Sequence, residues 1–118
     1  MKDLAPEITR QRLLIEGRYL ADVDRETVAA YLTGIARHLD LRSYGEPTIH
    51  ATGGTSATGN EGYDAFMPLI DSGISLYVWT EQRFFASLLF TCKTFDTAEA
   101  ISYTRNFFEA SEVVHVGF

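Results

Sequence analysis

Cysteine, proline and basic residues are all scarce in this chain of 118 residues, and each scarcity removes a class of protein. Cys92, the only cysteine, can form neither an internal disulfide nor a cysteine-based structural zinc site, so nothing points to an oxidising compartment and a cytoplasmic location is expected. The three histidines, His38, His50 and His115, are scattered without ligand spacing, so no metal site is expected. Ten Lys plus Arg against sixteen Asp plus Glu leave a formal charge of −6. That charge repels a phosphate backbone, which disfavours nucleic acid as a partner and makes a small cationic or zwitterionic ligand electrostatically easier. No apolar run approaches the length of a membrane span, and Met1 to Arg10 has no apolar core of the signal-peptide kind. The glycine-rich stretch lacks G-x-x-x-x-G-K-[ST], which removes the usual phosphate cradle.

What is present is the composition of a folded globule: 46% hydrophobic, 13% aromatic and 22% charged. Residues 1–118 are read as a single domain, with neither repeat nor linker. Leu13, Leu14 and Ile15 open an extended run ending near Tyr19. Asp24 is a plausible N-cap for a helix whose apolar residues Val28, Leu32, Ile35 and Leu39 recur at helical spacing. Ser43 to Pro47 carries turn chemistry, Thr48 to Ala51 is short and β-prone, and Thr52 to Gly62 reads as a mobile, solvated loop. Three strands are expected at Phe66–Ile70, Ile74–Thr80 and Phe84–Thr91, close enough together to be hairpins. Asp96 and Glu99 form a capping-box-like pair before a second helix with Ala100, Ile101, Thr104, Phe107 and Phe108, and Val113 to Phe118 closes as a strand. The order β, α, β, β, β, β, α, β predicts an α+β two-layer domain, an antiparallel sheet with both helices packed on one face.

The segment from Asp71 to Cys92 carries the chemistry. If Glu81, Gln82 and Arg83 form a three-residue hairpin loop, Thr80 pairs with Phe84 and the same register sets Ser72 directly across from Cys92. The chain's only thiol then lies beside a serine at a strand start. A lone cysteine is more often a small buried hydrophobe, and a serine after an aspartate more often a turn residue.

The residues DSGISLYVWTE, followed by FTC at Phe90 to Cys92, resemble the small prokaryotic S-adenosylmethionine decarboxylase family, whose members carry a segment close to ESHLSIHTWPE and then FTC at the same spacing. The segment RLLIE, ending at Glu16, is similar to the family's RHLVAE, and Thr48 to His50 is similar to its T-F-H. The glycine-rich loop stands as an insertion. The resemblance implies a self-processing enzyme: the serine at the position of Ser72 attacks the preceding carbonyl, the chain splits between Asp71 and Ser72, and a pyruvoyl group derived from Ser72 becomes the electron sink for decarboxylation, with no metal. It places the proton donor at Cys92 and a ribose-holding carboxylate at Glu81, with Trp79 in the same neighbourhood, although sheet packing accounts for Trp79 at least as well. Glu16 and His50 join the candidate substrate-binding residues. The implied substrate is S-adenosylmethionine in polyamine biosynthesis, and the implied assembly is a homodimer or a pairing with a homologous chain.

Three positions depart from the family pattern. Tyr77 replaces a histidine, and a tyrosine, with an ordinary pKa of about 10, is a poor base at neutral pH. Asp64 in GYDA replaces the second active-site serine of G-V-S-G, and Gly73 replaces the histidine after the nucleophile. Tyr77 and Asp64 therefore remain catalytic candidates with altered chemistry. Two alternatives stay open: a pyruvoyl decarboxylase acting on another amine, ornithine or arginine, and an uncleaved, non-enzymatic paralogue that binds a small metabolite or a homologous partner.

Overall fold

A computed structural model describes residues 1–52 and 61–118. The elements run in the expected order: β1 (Gln11–Tyr19), α1 (Arg25–His38), β2 (Thr48–Thr52), β3 (Gly62–Leu69), β4 (Ser72–Trp79), β5 (Phe84–Thr91), α2 (Thr97–Phe108) and β6 (Ala110–Gly117). The strands form one antiparallel sheet in the order β2-β3-β4-β5-β1-β6, with both helices against one face, an α+β two-layer architecture. Both ends of the expected loop are strand residues, since Thr52 pairs with Gly62, and the residues between Thr52 and Glu61 lie outside those described.

Each helix starts where its cap dictates. The Asp24 carboxylate accepts from the Thr27 amide at 2.9 Å while the Thr27 hydroxyl meets the Asp24 amide at 3.3 Å, a reciprocal capping box. Asp96 accepts from the Glu99 amide at 3.2 Å. Val28, Leu32 and Ile35 of α1 and Ala100 and Phe108 of α2 are fully buried against Leu13, Ile15, Ile74, Leu76, Phe85 and Leu89 of the sheet. Phe108 stacks on Phe85 with ring centroids 4.3 Å apart. The helices approach closely because Gly34 carries no side chain: a Cβ there would lie 2.0 Å from the Tyr103 hydroxyl.

One polar cluster crosses this core. The Tyr31 hydroxyl bonds Ser87 at 2.8 Å and Thr104 at 2.9 Å, tying α1, β5 and α2 together. All three are buried, and burial pushes the Tyr31 phenol up to about 12.

The other face of the sheet bears no helix. Strand alternation puts Leu14, Phe66, Tyr77, Trp79, Phe84, Leu88, Phe90, Val114 and Val116 there. Val114 and Val116 at the β6 edge are at least half exposed, and Phe66 and Phe90 are 44% and 41% exposed.

Candidate active site

Leu69 pairs with Ser72, so Ile70 and Asp71 alone turn the chain from β3 into β4. Asp71 takes the left-handed conformation this turn demands, at φ 54°. A short segment before β2 supports the turn from outside: the Ile70 amide donates to the Arg42 carbonyl, the Tyr44 amide donates to the Pro68 carbonyl, each at 3.1 Å, and Ser43 bridges Leu69. The Asp71–Ser72 peptide bond therefore lies at a tightly held corner at one end of the sheet.

The expected hairpin register is corrected by one residue. Trp79, not Thr80, pairs with Phe84, and the loop is the four residues Thr80–Arg83. Thr80 is taken up by β3's approach, donating both its amide (2.9 Å) and its hydroxyl (3.1 Å) to the Glu61 carbonyl, and Arg83 closes the loop with φ 49°. Extending the ladder past Gly73 and Phe90 sets Thr91, rather than Cys92, across from Ser72. Ser72 and Cys92 still meet, diagonally: the Cys92 backbone amide donates to Ser72 Oγ at 2.9 Å. That bond occupies one lone pair of the hydroxyl and leaves its proton free to be given up.

A cavity of about 300 Å³ opens beside this pair, lined by Asp71, Ser72 and Cys92 together with Asp40, Arg42 and Lys93. Lys93 Nζ donates to the Asp40 carbonyl at 2.7 Å and to its carboxylate at 3.0 Å. The lysine bond, with a lesser contribution from the Arg42 charge, holds the Asp40 carboxyl below its usual value. Sequence reasoning missed these three residues. Lys93 adjoins Cys92 in sequence, which was a usable signal, whereas nothing in the connector around Asp40 and Arg42 marks it as part of a site.

The remaining candidates lie away from this corner, on the uncovered face or in the β4–β5 loop. His50 pairs with Asp64, Asp64 with Tyr77, Tyr77 with Ala86 and Ala86 with Glu16, so four candidates on four strands form one row across the sheet. Trp79 stands in the next row, its ring 5.3 Å from that of Phe84. Tyr77 is an odd number of residues from Ser72, hence on the opposite face, and about 16 Å along the strand. Trp79 is about 23 Å from Ser72 along β4, and exposed Glu81 lies beyond it in the loop. One chain thus brings Asp71, Ser72 and Cys92 together and keeps Tyr77, Asp64, Glu16, His50, Trp79 and Glu81 apart from them.

Gly73 has a local cause. A Cβ there would lie 2.5 Å from the Phe66 ring, so that ring fills the space a side chain after Ser72 would occupy. Among the described residues no group of His, Cys, Asp and Glu is arranged to hold a metal ion, and no helix is long and apolar enough to cross a membrane.

This arrangement of a six-stranded antiparallel sheet with two helices on one face has a counterpart among solved structures. The crystal structure of the adenosylmethionine decarboxylase from Aquifex aeolicus VF5 superposes with a TM-score of 0.73 over 94% of this chain and 89% of that one, at 17% identity, which establishes a shared fold. Residues 17–116 match the S-adenosylmethionine decarboxylase family, and the chain belongs to that family. No curated protein sequence is detectably similar.

Proposed function

We propose that the protein is a self-processing, pyruvoyl-dependent S-adenosylmethionine decarboxylase of polyamine biosynthesis, cleaved between Asp71 and Ser72. The observation that carries this reading is the serine hydroxyl fixed by the Cys92 amide at 2.9 Å, immediately after a left-handed Asp71 in a two-residue turn. Ser72 Oγ bonds to the Asp71 carbonyl carbon as the C–N bond breaks, and the freed amine takes up the hydroxyl proton. Loss of the Ser72 α-proton then breaks the Cβ–Oγ bond, the oxygen leaves with Asp71 as a carboxylate, and water displaces the nitrogen as ammonia. The pyruvoyl group so formed supplies the electron sink that decarboxylation requires. In this reading Cys92 holds the proton and returns it after decarboxylation.

The distance between the Ser72 corner and the row containing Tyr77 and Asp64 supports a further element of the reading: the complete site needs a second chain. A homodimer, or a pair with a homologous chain, packed across the uncovered apolar face would present one chain's Tyr77, Asp64 and Glu81 to another chain, since face-to-face sheets lie about 10 Å apart. In this assembly Glu81 holds the ribose, whereas Asp64 favours a substrate ending in a guanidinium or ammonium, so the two carboxylates argue for different ligands.

Intact-mass analysis of freshly purified protein tests the reading. Two fragments and a borohydride-reducible carbonyl are expected, and Ser72→Ala should abolish both. A single full-length mass, stable over days, sinks the decarboxylase and leaves the uncleaved paralogue, a reading that Tyr77 favours because its phenol replaces the expected base. Thermal-shift titration of Ser72→Ala with S-adenosylmethionine, ornithine and arginine identifies the ligand without requiring cleavage. The largest shift is expected with S-adenosylmethionine, and a response to ornithine or arginine alone, lost in Asp64→Asn, reverses that assignment.

A further inference from the structure

The cavity beside Ser72 contains a cation that the processing chemistry does not use. Arg42 lines it, and its guanidinium makes no side-chain hydrogen bond or ion pair among the described residues. Its field reaches Asp40, yet the lysine already neutralises that carboxylate at 3.0 Å. The uncleaved cavity is lined by two carboxylates, Asp40 and Asp71, and two cations, Lys93 and Arg42. Cleavage upsets this balance. It converts the carbonyl of Asp71 into an α-carboxylate at a place where two other carboxylates already stand. Like charges that close would drive the new terminus outward unless a cation receives it.

We propose that Arg42 is the receiving group: the cavity beside Ser72 is a dock for the α-carboxylate that cleavage creates on Asp71, with Lys93 holding Asp40 out of competition. The proposal rests on the reading that Ser72 is cleaved from Asp71. The backbone is already arranged for it. The Ile70 amide is bonded to the carbonyl of Arg42 itself, and Ser43 bridges Leu69, so after the cut these bonds still anchor the chain up to Ile70 and leave Asp71 as the one free residue. A guanidinium on the residue facing Ile70 offers a planar pair of donors to a carboxylate one position further on. Docking there draws the severed end away from Ser72 and leaves that side of the cavity open.

Carboxypeptidase Y digestion of the matured protein, read by intact mass, tests this. In the wild type the fragment ending at Asp71 should resist trimming, in Arg42→Gln it should lose Asp71 at least about tenfold faster, and Arg42→Lys should restore part of the protection. Circular dichroism checks that the exposed substitution leaves the fold intact. A second readout is the pH titration of the new α-carboxyl by carbon NMR: it should titrate below the ordinary range of about 3.3–3.7 in the wild type and return to it in Arg42→Gln. Equal trimming and equal titration in the two proteins overturn the dock while leaving self-processing intact. Absence of cleavage in the wild type overturns both.

Discussion

On the helix-covered face, the inward side chains of β1, β4 and β5 are buried and the polar ones among them are paired, Ser87 with Tyr31 and Thr91 with the Lys93 carbonyl. On the opposite face of the sheet, apolar residues stand exposed beside His50, Asp64, Tyr77 and Glu16, and no side-chain hydrogen bond joins these four among the described residues. The first face is explained by packing within one chain. The second is not: an apolar sheet face interrupted by a row of titratable groups suits a surface that is covered by another chain and works on a ligand there. Under the proposed function, stability belongs to one face of the sheet and the substrate-facing row to the other, and that division can be attacked from either side.

The largest effect is expected on the covered face. Phe108→Ala removes a ring stacked on Phe85 and packed on Tyr31, and should cost about 3–5 kcal/mol. The corresponding fall in melting temperature should exceed about 10 °C. A fall of only a few degrees would show that the helix layer is looser than its burial implies. Next comes Tyr31→Phe, which deletes a hydroxyl bonded to both Ser87 and Thr104 and should cost about 1–3 kcal/mol. It also has a pH signature. A tyrosine whose folded pKa is raised from 10.0 to about 12 stabilises the folded state fully below pH 10, and loses that contribution as pH rises towards 12. The loss is about 2–3 kcal/mol for Tyr31, and the Tyr31→Phe protein should escape it in alkaline melts.

On the uncovered face the sign of the comparison reverses. Val116→Lys should change monomer stability by less than about 0.5 kcal/mol, because the side chain is half exposed already. It should, however, shift sedimentation towards the monomer, since a charge on a face packed against a second sheet must be desolvated. If wild type and variant are both monomeric at all concentrations, the uncovered face is not a self-association surface. A mixing experiment sharpens the point: with the complete site split between chains, Ser72→Ala and Glu81→Gln chains co-assembled should recover decarboxylation that neither shows alone. No recovery would place both residues' work in one chain.

How far these features are legible in sequence depends on the distance over which the determining contact acts. The caps Asp24 and Asp96 and the helical stripes Val28–Leu32–Ile35 and Ala100–Thr104–Phe108 are local, and both helices lie where those residues place them. β3 starts at Gly62, four residues before Phe66, because Gly62 fits its bare Cα against the Val78 carbonyl, 1.6 Å from where a Cβ would stand. That is a property of the neighbouring strand, and a glycine closing the polar run from Thr52 reads in isolation as loop. The register of β4 on β5 differs from expectation for a similar reason: the loop length is decided by Glu61, just before β3, whose carbonyl captures Thr80. The separation of the candidate residues was legible in part. Ser72 and Tyr77 differ by five positions, and an odd difference on a strand means opposite faces, whatever the motif that contains them. The pairing of Asp64 with His50 and of Glu16 with Ala86 required the sheet order, which no local pattern encodes.

A coupled pair of small effects is expected where the two regions meet. Gly73 follows the serine, and the Phe66 ring on the uncovered face occupies the space above it, so Gly73→Ala forces a ring that is 44% exposed to swing aside. The neighbour is the far end of a side chain with room to move, which limits the cost to about 1 kcal/mol. Phe66→Ala alone removes a partly exposed ring and should cost a similar amount. In the double variant the clash is absent, so the two costs should not add, and the double-mutant cycle should show a favourable coupling of about 0.5–1 kcal/mol. The same proteins also probe the serine corner: if the ring holds Ser72 in place through Gly73, cleavage in Gly73→Ala should slow and recover when Phe66→Ala is added. Additive stabilities together with an unchanged cleavage rate would mean that the ring merely rests on the glycine, and that the Ser72 corner is held by the Ile70–Arg42 and Cys92–Ser72 bonds alone.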